Sequence, residues 1–494
     1  MVAIDLKQYQ MVINGELTDS ASGETMEVVN PATNEIIGTV PKASETDVDR
    51  AVASARAAFE GAWQRVSVSK RTRLMMEVGQ IVRERVNELA ELETLNSGKA
   101  ISSSKGEILA AVEDFEFYAG ATTKLTGETI PAPHGMLYYT LREPLGVAGQ
   151  IIPWNYPFLM ASWKVAPALA AGNTVVLKPA SLTPLTAFKM GEICLEAGIP
   201  AGVVNVISGP GAKIGAYLAS HPGIDKVAFT GETATGRLIM QMAAGTMKRV
   251  TLELGGKSPN IVFDDANLED AVNGSLFAIF YNAGQSCEAR SRIFVQEDIY
   301  GEFCDRFAHK AQQIRVGDPT DPTTQIGAII SPGQLEGIEE YIASGKQEGC
   351  RVLAGGERPS DANLQRGNYL LPTVLVDVRN DMRVAQEEIF GPVVVVIPFK
   401  NEKDVIAMAN DTMYGLAGTL WTNDVGRAHR VAVAVRTGVM GINTHATAMP
   451  GLPFGGYKQS GIGRERGFET LKQYTEVKSV IVNTSERGSN PWKL

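Results

Sequence analysis

Strand and helix patterns that alternate in two successive blocks predict an α/β fold: a doubly wound parallel sheet followed by a second α/β domain. Three observations carry this expectation. Between Val147 and Leu254 the runs GVAGQIIPW, NTVVLKPA, VVNVIS, KVAFTG and RVTLEL alternate with helical periodicity, the pattern of parallel strands joined by crossover helices. A second series of apolar runs follows at Ile261–Phe263, Ile293–Val295, Val393–Ile397, Gly418–Trp421 and Gly438–Ile442. The chain has 494 residues, 44% hydrophobic and 20% charged, enough for roughly two to four domains with buried cores.

In chain order, residues 11–40 alternate short apolar runs with the turn signals Asn14-Gly15, Asn30-Pro31 and Thr33-Asn34, which predicts small antiparallel strands. Ser44 to Ala58 opens on Ser-Glu-Thr-Asp, a capping-box pattern for a helix. Leu74, Val78, Ile81, Val82, Val86 and Leu89 then form one apolar stripe at three- and four-residue spacing, which predicts a single long helix. Within the first α/β block, helices are expected at Met160–Ala171, Pro184–Ala197, Lys213–Ala219 and Thr235–Ala244. Tyr138–Arg142 and Val477–Val482 are β-rich and outside either block's rhythm; exposed edges of this kind invite pairing with another chain.

Composition excludes several classes. A net charge of −9 argues against non-specific binding to nucleic acid or acidic lipid. The four cysteines, Cys194, Cys287, Cys304 and Cys350, show no CxxC spacing, and the five histidines show no HExxH, so no disulfide framework or metal site is expected. The N-terminus lacks a basic start followed by an apolar core, and no run approaches the roughly 18 apolar residues of a membrane span. A cytoplasmic, reducing location is the default expectation, and a thiol stays free there.

In a doubly wound sheet, ligands bind beyond the carboxyl ends of the strands. The residues there are polar and distinctive: Pro153, Trp154 and Asn155; Lys178, Pro179 and Ser181; Gly209-Pro-Gly211 with Gly215; Gly231-Glu-Thr-Ala-Thr-Gly236; and Glu253-Leu-Gly-Gly-Lys257. Glycines at such turns let backbone approach a pyrophosphate and aim a helix N-terminus at it. Neither glycine cluster is a true GxGxxG, so a Rossmann-like dinucleotide site rests on context as well as motif. Ordinary βα turns, which favour the same residues, are the alternative.

The stretch Tyr281–Arg292, YNAGQSCEARSR, holds Cys287 in a polar turn between a helical run, Asn267–Tyr281, and a strand. Gly284 is expected to break the helix. A structural cysteine usually sits in an apolar run, whereas a turn presents a side chain to a cleft. The stretch alone leaves open a nucleophilic thiol and an incidental loop cysteine.

The motifs PWNYP (153–157), VLKPAS (176–181), FTGETATG (229–236), LELGGKSP (252–259), GQSC (284–287), EEIFGPV (387–393) and PFGGYKQSG (453–461) occur in the order and at the spacings of the aldehyde dehydrogenase superfamily. The chain resembles that superfamily from about residue 10 to residue 485. The resemblance implies NAD(P)-dependent oxidation of an aldehyde to a carboxylic acid. It divides the chain into an NAD(P)-binding domain (1–121 and 145–254), a catalytic domain (255–461) and oligomerisation segments (122–144 and 462–494) that build homodimers or homotetramers. Cys287 matches the nucleophile, which adds to the carbonyl to give a tetrahedral centre that can expel hydride. The side-chain amide of Asn155 and the backbone N–H of Cys287 match the oxyanion donors, and Glu253 the base for thioester hydrolysis.

For NAD or NADP, the resemblance implies Lys178 at the adenosine ribose and Gly211 and Gly215 on the adenine side. Ile151, Ile152, Pro153 and Trp154 match backbone and packing contacts, as do Phe229, Thr230, Gly231, Glu232, Thr235 and Leu254. Glu388 matches the nicotinamide-ribose carboxylate, with Phe390 and Gln334 beside it. Two positions depart from the commonest pattern. Ser181 stands where many NAD-preferring members carry a glutamate; its lack of charge removes repulsion of a 2′-phosphate, so NADP is expected to be accepted. Glu232 replaces a frequent serine near the pyrophosphate and, as an acid, is expected to point outward.

For the substrate, the family's tunnel positions are Tyr156, Met160, Trp163, Ser286, Glu288 and Phe454, an aromatic, largely apolar throat with an acid beside the thiol. Glu288, if it faces the tunnel, disfavours anionic aldehydes, and Arg290 offsets it if both share one face. Neutral aliphatic or aromatic aldehydes are expected. Semialdehyde or betaine aldehyde oxidation is the alternative, followed by a CoA-acylating relative and an inactive structural homologue. Lys164 and Glu465 match a proton-relay pair of some members, with ordinary surface charges as the other reading.

Overall fold

The computed structural model describes residues 7–446, 448–485 and 492. The outer ends of the first and last expected segments, residues 1–6, 486–491 and 493–494, lie outside the described residues. Five parallel strands form the centre of an eight-stranded sheet, in the spatial order Arg249–Glu253, Lys226–Thr230, Val147–Ile151, Thr174–Lys178, Val204–Val206. Gly461–Ile462 closes one edge antiparallel, and Met11–Ile13 with Glu16–Thr18 closes the other. Strand order reverses beside Val147–Ile151: the chain runs outward through Thr174–Lys178, then returns to the other side at Lys226–Thr230. The crevice at such a reversal, past Ile151 and Thr230, is where this architecture accepts a ligand.

Local chemistry accounts for the element ends. Asp47, three residues into the helix Glu45–Ala58, accepts from the backbone N–H of Ser44 at 2.8 Å and from its hydroxyl at 2.8 Å, the expected capping interaction. The helix expected from Met160 begins at Pro157, where proline's fixed φ and missing N–H suit the first turn. The expected long helix across Leu74–Leu89 is two helices, Val68–Glu84 and Val86–Ser97, broken at Arg85 (φ −103°, ψ 18°). Val78, Ile81, Val82 and Leu89 stay buried across the break, so hydrophobic periodicity does not register it. The helix expected over Lys213–Ala219 is a π-helical turn, Gly211–Gly215, continued by Ala216–Ser220.

The second sheet has seven strands, in the order Arg351–Ala354, Thr373–Val376, Val393–Phe399, Arg292–Gln296, Pro259–Val262, Ala417–Trp421, Val439–Ile442. All neighbours are parallel except at the first, antiparallel edge. Each sheet centres its own apolar core. Arg351–Ala354 and Thr373–Val376, each of four residues, are absent from the sequence expectation. Tyr138–Arg142 and Val477–Val482 lie in strands Met136–Pro144 and Thr475–Asn483, which pair antiparallel along their full length in a separate three-stranded sheet. Among the described residues no helix is long and apolar enough to cross a membrane.

The helix Leu268–Phe280, capped by Asn267, ends one residue earlier than expected. Asn282 (φ 51°), Ala283 (φ 55°) and Gly284 (φ 69°) then form three successive left-handed residues that turn the chain toward Cys287. At Gly284 a Cβ would lie 2.0 Å from the carbonyl oxygen of Gly391, so this turn is wedged against the segment after Phe390. Gly284→Ala is expected to destabilise the protein by about 2 kcal/mol or more or to displace the thiol turn. Thermal melting together with the rate of Cys287 alkylation measures this, and native values for both would refute it.

Candidate active site

Two cavities meet at Cys287. One, of about 330 Å³, is lined by Pro153, Trp154, Asn155, Thr230, Gly231, Glu232, Gln334, Glu388 and Phe390; the other, of about 290 Å³, by Glu107, Trp163, Ser286, Glu288, Phe454 and Glu465. Tyr156, Met160, Thr230, Glu253 and Cys287 border both. The second cavity shares Gly106, Phe277 and Tyr281 with a broad surface groove, which gives it a route to solvent.

Asn155 follows the strand Val147–Ile151. Its side-chain amide donates to the carbonyl of Gln285 at 2.9 Å, which leaves a second N–H in the same plane. Its own carbonyl accepts from Lys99 Nζ at 2.8 Å and from Asn282 Nδ2 at 3.1 Å. Gln285 in turn accepts from the Ile330 N–H at 2.9 Å. Lys99, Asn282 and Gln285 thus tie the thiol turn to the first sheet, a role sequence reasoning did not assign. Gln285 lies inside the GQSC motif; Lys99, with its ammonium 4.7 Å from the Tyr156 ring centre, had no motif to mark it.

The two glycines after Glu253 are spaces that other groups fill. A Cβ on Gly256 would lie 2.4 Å from the carbonyl oxygen of Cys287, and one on Gly255 2.1 Å from Glu388 Oε2. Any side chain there would push the thiol or the Glu388 carboxylate away.

Burial governs the protonation states. It drives the Cys287 thiol well above its ordinary range, and Glu288, Glu388 and Glu253 add to the shift, against its own backbone N–H, which lowers it. Glu253 is 4% exposed, and neither carboxylate oxygen has a hydrogen-bond partner among the described residues. Burial, then the charge of Glu465, holds its carboxyl well above the usual range; Lys164 and Arg464 act in the opposite sense. Lys164 is ion-paired with Glu465 and donates to Thr230 Oγ1 at 2.7 Å. Both members of that pair are buried, so the surface-charge reading of Lys164 and Glu465 is overturned.

On the other side, half-buried Glu388 accepts from the Gly256 N–H at 3.0 Å, and burial raises its carboxyl to about 7. Phe390 takes a left-handed backbone (φ 55°) and meets Trp154 edge to face, 5.1 Å between ring centres. Gln334 donates to the Phe390 carbonyl at 3.1 Å. Glu232, which precedes the helix Thr233–Ala243, is exposed, in keeping with an outward-pointing acid; it stands at the rim of the cavity, and its charge contributes to raising Glu388.

The remaining expected cofactor residues lie outside the cavity wall. Lys178 is buried, donates to the Pro179 carbonyl at 2.9 Å and is lowered by burial to about 8. Gly215 sits beside it, with a hypothetical Cβ 3.7 Å from Lys178 Cδ and 3.9 Å from Ile151 Cδ1. The Ser181 hydroxyl donates to the Gly209 carbonyl at 2.9 Å. Ile152 N–H donates to the Lys178 carbonyl at 3.1 Å. Phe229 packs under Gly231 and Leu254 under Gly236; Thr235 lies in the first turn of its helix and Gly211 opens the π-helical turn. On the thiol's far side, Trp163 meets Phe454 edge to face at 5.2 Å. Glu288 lines this cavity, as the substrate expectation requires, and its carboxylate is 3.2 Å from Arg290.

Comparison with known proteins places this geometry. The model of the aldehyde dehydrogenase family matches residues 17–480. An aldehyde dehydrogenase of Emericella nidulans is 48% identical over 471 residues, 95% of this chain and 94% of its own. The NAD+ complex of an aldehyde dehydrogenase from Bacillus cereus superposes with a TM-score of 0.95 at 46% identity, covering 97% of each chain. A betaine aldehyde dehydrogenase from Staphylococcus aureus, solved with NAD+, gives a TM-score of 0.95 at 40% identity, covering 98% of this chain and 97% of its own. The chain therefore belongs to the aldehyde dehydrogenase family and is an oxidoreductase that acts on aldehydes with a nicotinamide cofactor.

Proposed function

We propose that the chain oxidises neutral aliphatic or aromatic aldehydes to carboxylic acids through a thioester on Cys287, hydrolysed by water that Glu253 activates. The observation that carries this reading is the position of Cys287 and Glu253 on the shared wall of two cavities. One cavity suits a planar ring, between Trp154, Phe390 and the Glu388 carboxylate; the other is an aromatic throat for the aldehyde. The fit to a nicotinamide nucleotide rests on the Glu388 carboxylate, fixed by the Gly256 N–H in the space Gly255 leaves open. Glu388, Gln334, Trp154 and Phe390 would hold the nicotinamide half; Lys178, Ser181, Gly211 and Gly215 would hold the adenosine half. When bound, that group supplies the hydride acceptor.

The chain's own residues do the rest. Cys287 Sγ bonds to the carbonyl carbon as its proton passes to the Glu253 carboxylate. The free N–H of the Asn155 amide and the backbone N–H of Cys287 receive the oxyanion, a preorganised pair in a dry site. Collapse of the adduct with loss of hydride leaves the acyl group on sulfur. Glu253 releases the thiol's proton to solvent, then takes a proton from water as that water attacks the thioester; collapse expels the thiolate, which that second proton restores to the thiol as the acid leaves. Glu253 favours this hydrolytic course over transfer to CoA. Cationic aldehydes are the second reading, favoured by Glu107 and Glu288 on a wall that also carries Tyr156 and Trp163.

The test is coenzyme reduction with propanal and benzaldehyde, with and without CoA, using NAD and NADP in turn. Turnover independent of CoA is expected, and so is use of NADP within about a hundredfold of NAD, because Ser181 brings no charge to a 2′-phosphate. Cys287→Ser should lower kcat by ~10³-fold or more, and Glu253→Gln by ~10²- to 10⁴-fold. Native-like kcat in either variant would sink the mechanism, and a NADP efficiency orders of magnitude lower would sink the coenzyme reading.

A pH dependence follows. The reaction needs Glu253 ionised, and burial raises its carboxyl, so activity is expected to rise with pH above the ordinary carboxylate range. Lys164→Met removes a charge that lowers Glu253 and should move the acid limb to higher pH. Glu465→Gln removes a charge that raises it and should move that limb lower. Shifts in the reverse directions in a kcat profile would contradict this assignment of the base.

The free edge of Thr475–Asn483 and the exposed Leu137, Leu141, Val477 and Ile481 support a reading of the three-stranded sheet as the contact between copies, in a dimer or tetramer. Sedimentation of the native protein as a monomer at micromolar concentration would reject it. The four free thiols favour a reducing, cytoplasmic setting.

A further inference from the structure

The wall beside the thiol carries an ion pair that the reaction above does not use. Glu288 lines the tunnel with Tyr156, Trp163 and Phe454. Arg290 lies behind it, 1% exposed and absent from the lining. Its Nη1 is 3.2 Å from Glu288 Oε2 and donates to the Glu288 carbonyl at 2.8 Å; its Nε donates to Thr419 Oγ1 at 3.2 Å. Nη2 is buried without a hydrogen-bond partner among the described residues. Two of these anchors, a backbone carbonyl and Thr419, hold the guanidinium in place without the Glu288 carboxylate. The spare donor is capacity that a second carboxylate could use, because guanidinium recognises carboxylates through paired N–H groups.

The other tunnel acids offer no such reserve. Glu107 is ion-paired with Lys99, which also serves the Asn155 carbonyl, and Glu465 with Lys164, which also serves Thr230. Of the three cations behind the wall, Arg290 alone carries a buried nitrogen with no hydrogen-bond partner among the described residues.

We infer that Glu288 is a specificity-determining charge lock: it turns a carboxylate toward the aldehyde and occupies the guanidinium that would otherwise bind an anionic one. The native tunnel then excludes aldehydes that carry a distal carboxylate by like-charge repulsion. Removing the Glu288 carboxylate exposes Arg290 as their receptor. This rests on the reading of the second cavity as the aldehyde's route.

The experiment compares kcat/KM for succinate semialdehyde and for butanal in the native enzyme and in Glu288→Gln, Glu288→Ala and Glu288→Asp. The anionic-to-neutral ratio is expected to rise about tenfold or more in the Gln and Ala variants, through a lower KM for the semialdehyde, and to stay near native in the Asp variant. Succinate should become a competitive inhibitor of the Gln variant at concentrations that leave the native enzyme unaffected. Glu288→Gln with Arg290→Gln, if it melts like the native protein, should lose the gain; if it does not fold, the succinate inhibition carries the same information. A ratio unchanged in both the Gln and Ala variants, or raised equally in the Asp variant, overturns the lock. Failure of the native enzyme to oxidise butanal would instead count against the broader functional reading, whatever the ratio.

Discussion

The burial of Glu253 beside a half-buried Cys287 is the constraint on which the rest of the site depends. Both groups sit where the two α/β layers close on each other, and burial is the largest influence on each. A thiol and a carboxyl in a dry space rest in their neutral forms. The site therefore does not hold a permanent thiolate beside Glu253, Glu288 and Glu388. The surrounding charges set how far each proton is held. Lys164 lowers Glu253, Glu465 raises it, and those two are ion-paired with each other, so their net field at Glu253 is smaller than either alone.

The same arrangement recurs along the tunnel. Glu107, Glu465 and Glu288 face the cavity, and Lys99, Lys164 and Arg290 stand behind them. A buried acid without a cation would be neutral or would destabilise the fold; a paired one keeps its carboxylate in place. The cations are also braces. Lys99 holds the Asn155 carbonyl and Lys164 holds Thr230, so the charges that tune the tunnel fix the ends of the strands that shape it. Electrostatics and position are set by the same side chains here.

The parallel sheet was legible because its five strands are apolar on both faces and are separated by helical periodicity; strands such as Thr174–Lys178 and Lys226–Thr230 are buried throughout. Ser44 and Asp47 announced a helix start through a local hydrogen bond, which sequence spacing encodes directly. The break at Arg85 left no trace, because neither glycine nor proline marks it and the apolar stripe continues. The edge strand Arg351–Ala354 and its inner neighbour Thr373–Val376 left no distinct signal. At the site, the residues inside motifs were legible, and the braces were not. Lys99 acts 56 positions from Asn155, and a lone lysine after a glycine carries no sign of such a partner. Repulsion from phosphate argues Glu232 outward, and it is exposed, at the start of Thr233–Ala243 on the cavity rim. Periodicity reports burial and local capping; it does not report which distant groups burial brings together.

The charges of Cys287 and Glu253 also order the two halves of the proposed reaction. An ionised Glu253 raises the thiol, and Coulomb interaction is reciprocal, so a thiolate raises Glu253 in turn. In a space of low dielectric, one negative charge shared between them is far cheaper than two. Attack on the aldehyde moves the thiol proton to Glu253 and leaves that single charge on the sulfur side, where Asn155 and the Cys287 N–H meet the oxyanion. Once the acyl group is on sulfur, the thioester is neutral and its repulsion of an ionised Glu253 is gone. Glu253 can then lose the proton it took, and it is a carboxylate at the stage when water must be activated. A base buried without a partner would be a poor choice for a site that keeps a permanent thiolate; beside a sulfur whose charge appears and then vanishes, its high affinity for the proton is what lets one carboxyl serve both steps.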